Sequence, residues 1–201
     1  MAKPTFVGGV HPYGGKELTM DKPIKPVLPK GDLVYPLSQH IGAPAKPVVA
    51  VGDTVLTGQM IAEPGGFVSA PIYATVSGKV KAIEPRRLAT GGMCQSIIVE
   101  NDGKYDAVEM KPSKPYEEMS AQDKIEAVRN AGIVGMGGAG FPTAVKFAPK
   151  EPEKIEYVIA NCAECEPYLT SDYRRMIEDP EQLIRGLKIA VSIFPNARGI
   201  L

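Results

Sequence analysis

The sequence predicts an α+β chain in two parts, an all-β half over residues 1–115 and an α/β half over residues 116–201. Three observations carry that division. Most prolines and the short apolar alternations fall before residue 115, helical spacing of apolar residues begins near 117, and a glycine-rich run at 135–140 precedes a short helix, a further strand and two more helices.

In the first half the segments Val48-Val-Ala-Val51, Val76-Ser-Gly-Lys-Val80 and Ser96-Ile-Ile-Val-Glu100 read as short strands. Gly52-Asp53 and Asn101-Asp-Gly103 stand where tight turns are needed between them. From about 117 the period changes. Ser120 and Asp123 have the spacing of a capping box, Ile125, Val128 and Arg129 follow on one side, and Gly132 is placed to end the helix. A short helix is expected at Thr143–Ala148 and a strand at Ile155–Ala160. Ser171 or Asp172 is placed to cap a helix through Ile177. Asp179-Pro180 begins a longer helix, with Leu183, Ile184, Leu187 and Val191 on one face. Arg198–Leu201 then reads as the start of another strand.

Composition narrows the function classes. Lysine plus arginine and aspartate plus glutamate number 23 each, so no basic footprint points to nucleic acid. No apolar stretch approaches the roughly 20 residues that span a bilayer, and Met1-Ala-Lys-Pro-Thr-Phe6 carries no signal-peptide apolar region. A chain of this kind is expected to be cytoplasmic and soluble, or peripheral to a membrane. The three cysteines, Cys94, Cys162 and Cys165, form no even-numbered disulfide framework and are one short of a four-cysteine iron–sulfur site. Only His11 and His40 are available as imidazole ligands; His11 reads as a hydrogen-bonded loop residue and His40 receives no role.

The chemistry concentrates in two runs. Gly135-Met-Gly-Gly-Ala-Gly140 places four glycines in six residues, which lets backbone approach a flat or phosphorylated ligand without a Cβ in the way. Phe141-Pro142 closes that run and leads into the expected helix, whose N-terminal N–H groups suit an electron-rich ligand. The spacing Gly135-x-Gly137-x-x-Gly140 is by itself weak, because only Ile133-Val134 precede it, and a tight structural turn is the competing reading. The second run, Asn161-Cys-Ala-Glu-Cys-Glu-Pro167, follows the expected strand at the end where open α/β sheets collect ligands. Cys162-x-x-Cys165 admits a redox pair or half a zinc site, but the acids around it favour two reduced structural cysteines in a turn. Arg174 and Arg175 are read as solvated, with a phosphate or another subunit as the alternative.

Val51–Ile83 contains Val-Gly-Asp-Thr-Val-Leu-Thr-Gly-Gln-Met-Ile-Ala-Glu and then Ala-Pro-Ile-Tyr-Ala-Thr-Val-Ser-Gly-Lys-Val. This pair of segments resembles the barrel-sandwich domains of biotinyl and lipoyl carriers. Those carriers present a lysine at a hairpin tip, whereas the connection Pro64-Gly-Gly-Phe-Val-Ser69 has none, so structural or docking use is expected in place of a carrier role.

From Phe6-Val-Gly-Gly-Val-His-Pro12 through the barrel-sandwich segment, the glycine run and Asn161–Tyr168, the chain resembles the RnfC family, the C subunits of the Rnf (Rsx) membrane electron-transport complex. The α/β half is also similar to the flavin-bearing NADH-oxidising subunit of respiratory complex I. Its corresponding stretches read Gly-Arg-Gly-Gly-Ala-Gly-Phe-Pro-Thr-Gly and Asn-Ala-Asp-Glu-Ser-Glu-Pro.

The resemblance implies an incomplete α/β domain for FMN and NAD(H), in a family whose chain continues past Leu201 and carries its 4Fe–4S clusters there. It implies that Gly135, Gly137, Gly138 and Gly140 lie against the flavin and nucleotide, and that Lys146 and Asn161 hydrogen-bond the isoalloxazine or ribityl chain. Glu164 and Glu166 would line the nicotinamide side. No acid–base residue is called catalytic, because the flavin performs the redox step. The implied partners are the other subunits of an ion-translocating membrane complex and ferredoxin-linked carriers, on the cytoplasmic face of the membrane. A non-catalytic scaffold within such a complex is the alternative. Met136 stands where the complex I relative has arginine, which removes a fixed cation beside the nucleotide.

Overall fold

The computed structural model describes residues 8–10, 12–110, 114–136 and 138–201. His11 and Gly137 lie outside the described residues. The chain forms two compact units. One combines Val27–Glu156 with Ser192–Asn196; the other combines Met1–Pro26, as far as it is described, with Tyr157–Val191 and Ala197–Leu201.

The first of these units contains the β-rich half from Val27 onward. Its strands are β1 (Leu33–Pro36), β2 (Lys46–Pro47), β3 (Thr54–Val55), β4 (Met60–Glu63), β5 (Ile72–Tyr73), β6 (Gly78–Arg87) and β7 (Met93–Asn101). They form two antiparallel sheets, ordered β1-β7-β6-β3 and β2-β4-β5. Val55, Ile61, Val76, Val80, Ile97 and Val99 are fully buried in the shared core, beside Tyr35, Leu37 and Ile72. In β7, Ser96, Ile97, Ile98 and Val99 are buried in succession, as expected of a strand covered on both faces.

The run Val48–Val51 does not form the strand its composition suggested. Pairing falls on Lys46–Pro47 instead. Asp53 captures the Ala50 N–H through its carboxylate (2.8 Å), Gly52 takes φ +99°, and Val51 is left 61% exposed. The Gly-Asp turn therefore claims the backbone that a strand would have used. At the other predicted turn, which follows β7, Asn101 and Asp102 accept the N–H groups of Gly103 and Lys104 through their side chains; β6 and β7 form the long hairpin of the sheet, closed at Leu88–Gly92.

The same unit carries the helices α1 (Ala121–Asn130) and α2 (Thr143–Lys146). The predicted capping box is present: Ser120 Oγ accepts the Asp123 N–H, and the Asp123 carboxylate accepts the Ser120 N–H. At the far end Gly132 is left-handed (φ +66°). Its N–H bonds the Arg129 carbonyl and Ile133 bonds that of Val128, the two bonds of a Schellman ending.

The second unit holds β8 (Tyr157–Ile159), α3 (Ser171–Glu178), α4 (Pro180–Val191) and β9 (Arg198–Ile200), with β8 and β9 parallel. The strand expected at Ile155–Ala160 is shorter because Pro152–Lys154 forms a one-turn 3-10 helix that takes the Ile155 N–H. Helix α4 starts at Pro180 as read. Leu183, Leu187 and Val191 are half-buried, while Ile184 remains 45% exposed. A Cβ at Gly199 would stand 3.1–3.3 Å from Val191 and Leu187, so the absence of a side chain lets α4 press onto β9.

Candidate functional site

The glycine run is a closed loop that leads into the short helix α2. Val134 and Pro142 form an antiparallel bridge, Gly135 N–H donates to the Phe141 carbonyl (2.8 Å), and Thr143 N–H donates to that of Ile133 (3.0 Å). The expectation of a phosphate-type helix terminus is corrected here. Helix α2 has four residues and ends at Lys146, short of Ala148, and its first N–H is already used, so little aligned dipole or free donor remains.

Within this loop the glycines have different surroundings. Gly140 is buried and left-handed (φ +63°), and a Cβ there would lie 2.9 Å from the Gln39 carbonyl and 3.0 Å from His40 Cα. Ile41 N–H donates to the Ala139 carbonyl (2.8 Å), which ties the loop to residues 39–41. Gly138 is the opposite case: φ is +142° and no described atom lies within 4 Å of where its Cβ would be. Gly135 has only Phe141 backbone near that point, at 3.7–3.8 Å. Met136 is 96% exposed, and Lys146 is exposed with no ion pair among the described residues.

His40, given no role from sequence, is the buried support beneath this loop. Its Nε2 accepts the Ala70 N–H (3.1 Å), which makes Nδ1 the protonated nitrogen and the donor to the Ile41 carbonyl (3.1 Å). Ser69 Oγ donates to the Ala43 carbonyl and accepts the Gly65 N–H, both at 2.9 Å. A cleft of about 420 Å³ lies beside them, lined among others by Tyr35, Gln39, His40, Tyr73, Gly132 and Val134.

In the other unit, Asn161–Pro167 leaves the carboxyl end of β8, next to the parallel strand β9, as the sequence predicted. Asn161 Oδ1 accepts the Ala163 N–H (3.1 Å), shaping the turn and leaving the side-chain NH₂ as its donor. Glu164 is the capping group of α3. Its carboxylate accepts the Asp172 N–H and the Ser171 hydroxyl, each at 3.0 Å, and the Tyr173 N–H at 3.4 Å. Thr170, at the N-cap position, supplies no side-chain cap, and Ser171 serves by donating to Glu164. Desolvation, the largest influence on Glu164, pushes its carboxyl upward, but the bonds from Asp172, Ser171 and Tyr173 together hold it below the ordinary glutamate range.

Glu166 has an exposed side chain and a carbonyl that accepts from Lys16 Nζ (3.3 Å). Cys162 and Cys165 are free thiols, the first half-buried with Sγ 3.7 Å from the Ala160 carbonyl, the second exposed. Among the described residues no group of three His, Cys, Asp or Glu is arranged to hold a metal ion. A smaller cavity of about 240 Å³ is lined by Lys16, Met20, Cys162, Glu164, Thr170, Tyr173 and Met176. Sequence reading missed Lys16 and Met20 because nothing local joins them to a motif some 150 residues later.

Residues 4–104 match the family model described as the RnfC barrel sandwich hybrid domain. The chain belongs to the RnfC family. Residues 128–201 match a second model, the Nuo51 FMN-binding domain, and this stretch contains all eight candidate residues of the glycine loop, Lys146 and the acid-rich turn. The fold is thus a barrel-sandwich hybrid domain followed by an FMN-binding domain.

Among curated relatives, the chain is 48% identical to the C subunit of the proton-translocating ferredoxin:NAD(+) oxidoreductase complex of Clostridium ljungdahlii, over 94% of this chain and 42% of that protein. It is 44% identical to the C subunit of the Na(+)-translocating ferredoxin:NAD(+) oxidoreductase complex of Acetobacterium woodii, over 98% and 45%. It is 42% identical to the C subunit of the ion-translocating oxidoreductase complex of Pseudomonas aeruginosa, over 94% and 25%. The chain therefore spans less than half the length of these relatives. Among the described residues no helix is long and apolar enough to cross a membrane.

Proposed function

We propose that this chain supplies the FMN- and NAD(H)-handling portion of an RnfC-type protein. In that role it exchanges electrons between NAD(H) and iron–sulfur carriers within a membrane-associated ferredoxin:NAD oxidoreductase complex. The observation that carries the reading is the order of the two family matches, a barrel-sandwich domain and then an FMN-binding domain that includes the glycine loop. We divide the chain accordingly into domains 1–115 and 116–201. The partners are the other subunits of the complex and ferredoxin-linked carriers, and the position is peripheral, on the cytoplasmic side. The 4Fe–4S clusters belong to the part of the relatives' length that this chain does not span.

The residues fit a planar ligand at the loop. Gly138 offers backbone that no side chain covers, while Gly140 is fixed from below by residues 39–40. Gly135, Gly138 and Gly140, together with Gly137 outside the described residues, would bring backbone against the flavin and nucleotide. Lys146 and Asn161 donate hydrogen bonds to the isoalloxazine or ribityl chain. Glu166 and Glu164 line the nicotinamide side, Glu164 held in place by the N–H groups of α3. FMN held by these residues would supply two-electron exchange with NAD(H) and one-electron exchange with iron–sulfur carriers, and the residues named above would orient it and set its electrostatic surroundings.

The test uses the full-length protein. FMN and NADH are titrated while flavin fluorescence is followed, with quenching at micromolar ligand expected. Gly138→Val, which puts a branched side chain on the open face and strains backbone at φ +142°, is expected to weaken FMN retention at least about tenfold, with the circular dichroism spectrum recorded to confirm that the fold persists. Full-length protein that purifies with neither flavin nor NADH oxidation would end this reading.

A scaffold reading rests on a different observation. Phe67 is 73% exposed in the 64–69 connection, where Gly65 and Gly66 pack against Pro44 and Ala43. It predicts that Gly138→Val leaves electron transfer intact while Phe67→Ser disrupts assembly of the complex.

A further inference from the structure

The turn at Asn161–Thr170 is held by a segment from the opposite end of the sequence. Lys16 Nζ donates to the carbonyls of Leu169 (2.8 Å) and Glu166 (3.3 Å). Thr19 Oγ1 donates to the Tyr168 carbonyl and accepts from Thr170 Oγ1, both at 2.9 Å, and Tyr168 N–H donates to the Gly14 carbonyl (2.6 Å). These bonds converge on one short stretch of backbone. At its centre Tyr168 is a non-glycine residue with φ +66°, a conformation that persists only where its surroundings enforce it. The Tyr168 ring meets Tyr13 edge-on at 6.1 Å, and it occupies the space a side chain at Gly15 would need.

Further along, Arg174 donates to the Met20 carbonyl (3.0 Å) and Ile24 N–H donates to the Glu178 carboxylate (3.0 Å). The two segments are thereby bonded from Gly14 to Ile24. Lys16 differs from the other contacts in one respect. The residue is half-buried, its ammonium is spent on neutral carbonyls, and it lines the cavity that Cys162 and Glu164 also line. Its charge therefore faces the acid-rich turn, and among the described residues it makes no ion pair.

We infer that Lys16 and Thr19 are positioning residues for the Asn161–Thr170 turn, fixing the backbone from which Glu164 and Glu166 project. Lys16 holds the turn through Glu166 and Leu169, and Thr19 through Tyr168 and Thr170. The consequence for NADH rests on the function proposed above; the mechanical part does not.

The experiment compares wild type, Lys16→Met and Lys16→Arg in the flavin-loaded full-length protein, by hydrogen exchange and by steady-state reduction of an artificial electron acceptor with NADH. Lys16→Met removes two charge-assisted bonds but keeps the aliphatic stem. It is expected to speed exchange at residues 164–170 about tenfold or more and to raise KM for NADH about tenfold, with kcat within twofold and FMN content unchanged. Lys16→Arg restores both, because guanidinium retains the donors and charge. Should Lys16→Met not fold, Thr19→Val is used, and faster exchange confined to 164–170 is again expected.

Unchanged exchange and unchanged KM would overturn the inference. So would exchange that rises equally throughout 157–201, which would make Lys16 a general staple, or a failure of Lys16→Arg to restore. If wild type reduces no acceptor with NADH, the proposed function falls while the exchange measurement still decides the clamp.

Discussion

At the scale of single residues, the eight candidates differ in what already occupies them. Gly140 meets Gln39 and His40, Asn161 Oδ1 is committed to Ala163, and Glu164 caps a helix, whereas Gly138, Lys146 and the Glu166 side chain face open space. Gly140→Ala is expected to lower stability by about 2–4 kcal/mol, from left-handed strain plus overlap with the 39–40 backbone, read as a reduced urea midpoint. His40→Ala leaves the Ala70 N–H without its acceptor and is expected to cost about 1–3 kcal/mol by the same measurement. Glu164 gives a pH signature. A carboxyl held below its unfolded value contributes stability above that value, near pH ~4.3, and loses it as pH falls through the lower folded value. Exchange protection of α3 is thus expected to drop on acidification below about pH 4, and Glu164→Gln to flatten that dependence.

Among elements, the local signals that were reliable are those in which a few adjacent residues satisfy each other's backbone. The Ser120–Asp123 capping box and the Gly132 ending are self-contained, and α1 runs between them. Gly132 also abuts another element: a Cβ there would lie 2.9 Å from the Pro71 carbonyl and 3.2 Å from Tyr73. Gly132→Ala is accordingly expected to cost about 1–3 kcal/mol in chemical denaturation, more than the loss of a left-handed cap alone. Helix α2 shows the limit of local reading. Phe141-Pro142-Thr143 is a helix start as read, yet the bridge between Val134 and Pro142 also makes it the closing side of a loop, and the helix stops at Lys146. The Val48–Val51 run failed for a related reason, since the side chain of Asp53 competes with the ladder for the Ala50 N–H.

For the molecule as a whole, the sequence alone determined the two-part architecture, the barrel-sandwich likeness and the family. These depend on periodicity, turn residues and motifs that are contiguous in the chain. It also determined that Asn161–Pro167 follows a strand, because β8 and its exit are a single stretch. What the tertiary structure decided is which of these groups already have partners within the fold and which stand open. Gly138 and Gly140 are indistinguishable in sequence; only the arrival of residues 39–41 makes one a packing position and leaves the other open. Glu164 is one of two acids in the turn by sequence; only the folded chain shows Asp172 and Tyr173 presenting their N–H groups to it. Lys16 and Thr19 had no visible link to the acid-rich turn some 150 residues away, and only the folded chain brings their donors to its carbonyls. The physical reason is common to all three: local pattern fixes backbone conformation, but a hydrogen-bonding group's partner is whatever the remainder of the chain places within about 3 Å of it.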